Sequence, residues 1–246
     1  MRLFTPTPTS ISTSIAPSSA ARTAGVGYIA IIILGVFAHF FVLERLIVFD
    51  DPVLTLNQIL SSDLLFRLGI ICFITMVIID VIVGIMLYVI MRQVDKTVAL
   101  LVAAFRLMYS VVHSAAIINL ILVLPLLNDL GSGQLINQSH MSEQVMSLLN
   151  GHHYGFLLAL IFFGLHCIVL GWLIYRSGFM PKVLGVLLII AGVGYMIDSF
   201  ANIVLADYSA YASIFLLIVA IPAFTAEISL CLWLIWKPKN FENEKP

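Results

Sequence analysis

Asp80, Arg106, His166 and Glu227 are ionisable side chains set inside long apolar runs. An ionisable group at the centre of a membrane helix costs about 2.5–3.5 kcal/mol on insertion scales, so it faces other helices or a wet cavity. Asp80 lies 12 residues before Arg92, His166 lies 10 before Arg176, Glu227 lies 10 before Lys237, and Arg106 lies 10 after Lys96. At about 1.5 Å per residue these offsets place all four roughly 15–18 Å from one membrane face, in one layer near mid-depth. Two acids, one arginine and one histidine in a layer can pair. Asp80 with Arg106 is the first choice, because a tight hairpin joins their segments, and His166 with Glu227 is the second. Other pairings fit the depths as well.

A second polar group lies further out: His39, His113, Asn119, Asp198 and Asn202. Arg106, Ser110 and His113 follow i, i+4, i+7 spacing, so one helix face joins the two layers. Asp198 and Asn202 share a face in the same way. The pattern reads as a polar track with His152 and His153 near its outer mouth. Asp80, Arg106, His113, His166, Asp198 and Glu227 are therefore the candidate ligand or proton site. Arg106 would hold an anion, and Asp80, His166 and Glu227 would exchange protons.

This chemistry suits a small-molecule or proton-coupled transporter or binding protein. Two other readings stand beside it. Buried ion pairs also lock helices in register, which is all that a structural or regulatory membrane subunit needs. An intramembrane lipid-modifying enzyme would use histidines and carboxylates on a metal or as acid and base. Enzymatic activity is the less favoured, since there is no His-Glu-x-x-His spacing and no serine in a G-x-S-x-G context. No catalytic residue, metal site or cofactor is expected.

The elements that must position these residues follow from composition. Of 246 residues, 61% are hydrophobic and 10% charged, against roughly 45–50% and 25% in soluble domains. A water-soluble globule is excluded. The net charge of -1 leaves no basic surface for nucleic acid, and the lipid bilayer is the expected partner, with a small-molecule ligand besides. The expected fold is all-α, a polytopic bundle with six transmembrane helices near 25–43, 64–91, 97–127, 152–175, 183–204 and 213–236. Residues 1–24, rich in Ser, Thr and Pro, are expected to form a disordered cytoplasmic tail, 25–237 the six-helix domain, and 238–246 a short cytoplasmic tail. Nine of the twelve basic residues fall on the tails and the second and fourth connections, which puts both termini in the cytoplasm. This is a multi-pass pattern of the cell membrane, with oligomeric state left open.

Local signals refine the boundaries. Asp50, Asp51 and Pro52 mark either the start of a short interfacial helix or a plain loop. Ser62 and Asp63 are placed to cap the second crossing, and Pro125 weakens the outer end of the third. Residues 128–147 read as a long polar connection. Cys72, Cys167 and Cys231 lie inside apolar runs and are expected to be free thiols. Gly164 with Gly171 and Gly185 with Gly192, at seven-residue spacing, are expected to allow close helix contact.

Motifs along the membrane part carry a resemblance. They are Leu65-Phe-Arg-Leu-Gly69, Ala104-Phe-Arg-Leu107, Phe163-Gly-Leu-His-Cys167, Tyr175-Arg-Ser-Gly-Phe179, Pro181-Lys-Val-Leu-Gly-Val-Leu187, Gly194-Tyr-Met-Ile-Asp-Ser-Phe200 and Glu227-Ile-Ser-Leu-Cys-Leu-Trp233. In order and spacing they resemble the bacterial multi-spanning membrane proteins classed as domain-of-unknown-function family 4386. The resemblance implies an integral protein of the bacterial plasma membrane and carries no activity to transfer. Its motifs contain Arg106, His166, Asp198 and Glu227, and the tail before Ala21 lies outside it.

Overall fold

The computed structural model describes residues 15–131, 138–205 and 207–238, and every element among them is helical. Helix α1 (Pro17–Leu46) is a 30-residue rod. It starts at Pro17, eight residues before the expected start of the first crossing at residue 25. Proline in the first turn lacks only an N–H that the helix does not use, and Ala20, Ala21 and Ala24 are fully buried. Residues 1–14 and 239–246 of the two expected tails lie outside the described residues. Within α1, Phe37–Leu43 forms a π-helical stretch, a local widening often found at functional sites.

The Asp-Asp-Pro signal resolves as a helix. In α2 (Pro52–Ser61) the Leu54 N–H donates to Asp51 Oδ1 at 2.9 Å. The Thr55 hydroxyl accepts from Val48 N–H and donates to Val48 O, each at 2.9 Å, so the turn after α1 is tied to α2. Ser62 takes the cap position of α3 (Asp63–Met91) without a side-chain bond. Asp63 instead accepts from Arg67 Nε at 2.9 Å.

Two seven-residue rows make α3 two-faced. Leu64, Ile71, Ile78 and Ile85 are exposed, as a lipid-facing row must be, while Phe66, Phe73, Asp80 and Leu87 are buried. The rows are two residues out of phase, about 200° around the helix. That offset is why Asp80 points inward.

Helix α4 (Lys96–Gly131) is capped by Asp95, whose Oδ1 accepts from Thr97 N–H at 2.9 Å and Val98 N–H at 3.0 Å. It runs on through Pro125 as a helix. Helix α5 (Gln138–Arg176) begins well before residue 152. Much of the expected polar connection is thus helical, because Met141, Val145 and Leu149, four residues apart, bury one face in a cluster with Leu56 and Ile59 of α2 and Leu120 of α4. With 39 residues at about 1.5 Å each, α5 is nearly twice as long as a bilayer core of about 30 Å is thick. Helices α6 (Lys182–Val204) and α7 (Ala212–Trp236) complete the set.

Six of these helices, all but α2, are long and apolar enough to cross a membrane. Each packs on its neighbours in a closed ring: α1, α3, α4, α5, α6, α7 and α1 again. The start of α1 meets the close of α7, where a Cβ on Gly25 would fall 2.6 Å from Ile235 and 3.1 Å from the Cys231 carbonyl. The start of α1 and the close of α7 thus share one end of the bundle, the terminal end. The four glycines form a seam between α5 and α6, since a Cβ on Gly171 would lie 2.5 Å from Gly185 O and one on Gly192 2.5 Å from Gly164 O.

Packing differs between the two ends. At the terminal end one core, including Tyr28, Leu87, Val102, Leu170, Leu188 and Leu230, draws on all six spans. At the distal end the second core joins α1 through α5 only, with Val42, Leu56, Phe73, Ile117 and Val145 among its members. Among the described residues α6 and α7 contribute nothing to it, and the space beside them is the cavity described next.

Candidate functional site

Arg106 is the hub of the buried polar layer. It and Asp80 are each 1% exposed, and Arg106 Nη2 donates to Asp80 Oδ1. Arg106 Nη1 donates to the Tyr28 hydroxyl at 2.8 Å and lies 3.1 Å from His166 Nε2. His166 Nδ1 lies 2.9 Å from the Val102 carbonyl. A carbonyl only accepts, so Nδ1 carries the ring proton and Nε2 is free to accept from the guanidinium. Aromatic faces complete the surroundings, with Arg106 Cζ 4.7 Å from the Tyr28 ring centre and 5.5 Å from that of Phe163. The network binds α1, α3, α4 and α5 together.

Asp80 with Arg106 is the pairing that spacing favoured. His166 with Glu227 is not formed. The His166 ring turns toward α4, and Glu227 Oε1 accepts from the Tyr195 hydroxyl at 2.8 Å. Arg106 is also committed to Asp80, in place of standing free for an anion. Among the described residues, Asp80 Oδ2, Arg106 Nε, His152 Nε2 and both ring nitrogens of His113 are buried without a protein hydrogen-bond partner.

A cavity of about 1210 Å³ lies in the distal half of the ring and touches all six spans. Asp80, Arg106, Tyr109, Phe163 and Glu227 line its inner part; His39, His152, His153, Asp198, Asn202 and Tyr208 line it toward the distal end. Among the described residues its charged lining is Glu44, Asp80, Asp198 and Glu227 against Arg106. The volume exceeds the roughly 300–1,000 Å³ of ordinary ligand pockets. His39 reaches the wall from the π-helical stretch of α1. Tyr208, in the connection between α6 and α7, donates to Asp198 Oδ1 at 2.5 Å. Its hydroxyl is pushed up to about 12, by burial first and then by the hydrogen bond to Asp198 and that residue's charge.

Of the candidate residues, Asp80, Arg106 and His166 are in direct contact, and Asp198 and Glu227 share the cavity wall with Asp80 and Arg106. His113 is fully buried among Phe73, Tyr109, Phe156 and His152, its ring centre 6.1 Å from that of His152. Asn119 bonds the Ala116 carbonyl of its own helix at 3.2 Å and packs at Gly151. Sequence spacing missed Tyr28, Tyr195 and Tyr208. Their signal was a phenol in or beside an apolar run, whose hydroxyl must find a partner once buried. Among the described residues no three His, Cys, Asp or Glu side chains gather closely enough to hold a metal ion. Cys72, Cys167 and Cys231 are free.

A protein of Archaeoglobus fulgidus, described only as an uncharacterized protein, is 30% identical over 167 residues, which is 68% of this chain and 82% of the relative. That relative comes from an archaeon, whereas the motifs suggested a bacterial family. No solved structure matches. The family described as "Domain of unknown function (DUF4386)" matches residues 23–237, nearly all of the six-span bundle and every residue of the buried polar network, and the chain belongs to that family.

Proposed function

We propose that this multi-pass protein resides in the cell membrane and binds a small molecule in its distal cavity, moving it across the bilayer with proton exchange at the inner wall. The observation that supports this reading is the cavity itself, which brings Asp80, Arg106 and Glu227 to one apolar-walled space with His39, His152 and Asp198 toward its mouth. A purely structural protein needs the ion pair but not the space beside it. Carboxylates and imidazoles in such a wall are suited to accept and release protons as a ligand arrives.

The test uses full-length protein in liposomes and in lipid nanodiscs, with a metabolite panel. A ligand present at about 100 times its Kd raises stability by about 2.7 kcal/mol, a clear melting shift. Uptake or proton flux of that same compound is the second expected result. If no compound shifts melting, and cysteines placed at His39 and Ala220 do not react with a water-soluble thiol reagent, the cavity is not a ligand site and the reading fails.

A further inference from the structure

We propose that the cavity takes a lipophilic organic cation, a positive centre wrapped in apolar groups, that enters from the bilayer between α1 and α7. This rests on the reading of the cavity as a ligand site and adds the ligand's charge and route. Among the described residues four carboxylates and one guanidinium line the space. Asp80 already pairs with Arg106, whereas Glu227 and Asp198 accept from the neutral hydroxyls of Tyr195 and Tyr208 and form no ion pair among the described residues, a wall that favours a positive charge. An anion would meet both of them. Asp80 Oδ2, on a residue 1% exposed, is an acceptor without a protein partner, and His152 Nε2, which accepts in the Nδ1–H tautomer, is buried and unpartnered beside the same space. Phe156 and Tyr195 line the same space, and aromatic rings attract cations most strongly when water is excluded.

The route follows from how α1 and α7 meet. They are in tight contact at Gly25 and Cys231, yet further along, Ile32 and Phe40 of α1 and Ile221 and Phe224 of α7 border the cavity instead. Phe40, Ile221 and Phe224 are 52%, 61% and 58% exposed, so this rim faces acyl chains. An apolar-coated ion already in the membrane meets the slot directly, whereas a small hydrated ion does not.

The experiment measures equilibrium binding of three probes to the full chain in nanodiscs: tetraphenylphosphonium, its near-isosteric anion tetraphenylborate, and tetramethylammonium. Saturable binding of the phosphonium at least about tenfold tighter than either other probe (about 1.4 kcal/mol), after subtraction of empty nanodiscs, supports the proposal. Glu227→Gln should weaken it about tenfold or more, while Glu227→Asp, which keeps the charge, retains most of it. Should Glu227→Gln fail to fold, Asp198→Asn reads the same field and should weaken binding about threefold. Equal or tighter borate binding overturns the charge assignment while leaving a ligand site standing. Tight tetramethylammonium binding overturns the lipid route. If no probe binds, the proposal fails, and the metabolite and thiol measurements decide separately whether the cavity binds anything.

Discussion

Asp80→Asn removes the one carboxylate bonded to Arg106 while keeping its shape. Arg106 would retain Tyr28 at 2.8 Å, His166 at 3.1 Å and two aromatic faces, none of which carries a charge. Breaking a buried pair from one side costs about 3–5 kcal/mol. The remaining neutral partners and desolvated cation–π contacts, worth up to about 2 kcal/mol, put this variant near the lower bound, about 3 kcal/mol. Arg106→Gln leaves a carboxylate at a site where Asp80 Oδ2 already has no partner, and should cost about 4 kcal/mol by the same reasoning. The double variant buries neither charge. It should lose only about 4 kcal/mol in total, short of additivity by about 3 kcal/mol, the top of the usual coupling range. Unfolding in mixed micelles, followed by the fluorescence of the three tryptophans, measures all three. Losses that add to within about 0.5 kcal/mol would refute the direct pairing of these groups and with it the organisation of the polar layer.

Gly171→Ala places a methyl 2.5 Å from the Gly185 carbonyl, which forces backbone apart and should cost about 1–3 kcal/mol, read as a lower unfolding midpoint. Asp51→Ala removes the acceptor for Leu54 N–H and should destabilise by about 1 kcal/mol, with faster amide exchange confined to α2. Tyr208 holds its proton to about 12 against an ordinary value of 10.0. The folded state therefore binds more protons than the unfolded state between those values, and its contribution to stability is lost as pH rises through that window. Asp198→Asn should lower the Tyr208 midpoint, read as the ultraviolet difference titration against Tyr208→Phe.

What could be read from spacing was depth, and what could not was direction. Asp80 and Arg106 lie on neighbouring spans joined by a four-residue turn, so equal depth nearly sufficed to pair them. His166 and Glu227 also share that depth, but no count of residues says which way a ring turns, and Val102 O with Arg106 claimed His166. Two boundaries misled for opposite reasons. Ser, Thr and Pro around residues 17–24 hid a run containing Ala20, Ala21 and Ala24, the best helix formers and small enough to bury. Ser139, His140, Glu143 and Gln144 masked the period-four row Met141, Val145 and Leu149 on the opposite face of α5. The cavity was invisible because it is a property of where α1 parts from α7, which no single helix encodes.

The partners of the central ion pair sit on consecutive spans, α3 and α4, separated only by residues 92–95. During biogenesis this matters. Released singly into lipid, each span would carry a bare charge at about 2.5–3.5 kcal/mol, whereas a hairpin released whole carries its own counterion and is electrically neutral. The α3–α4 hairpin is thus the segment best suited to leave the insertion machinery as one unit, and lengthening its turn would delay the meeting of the two charges.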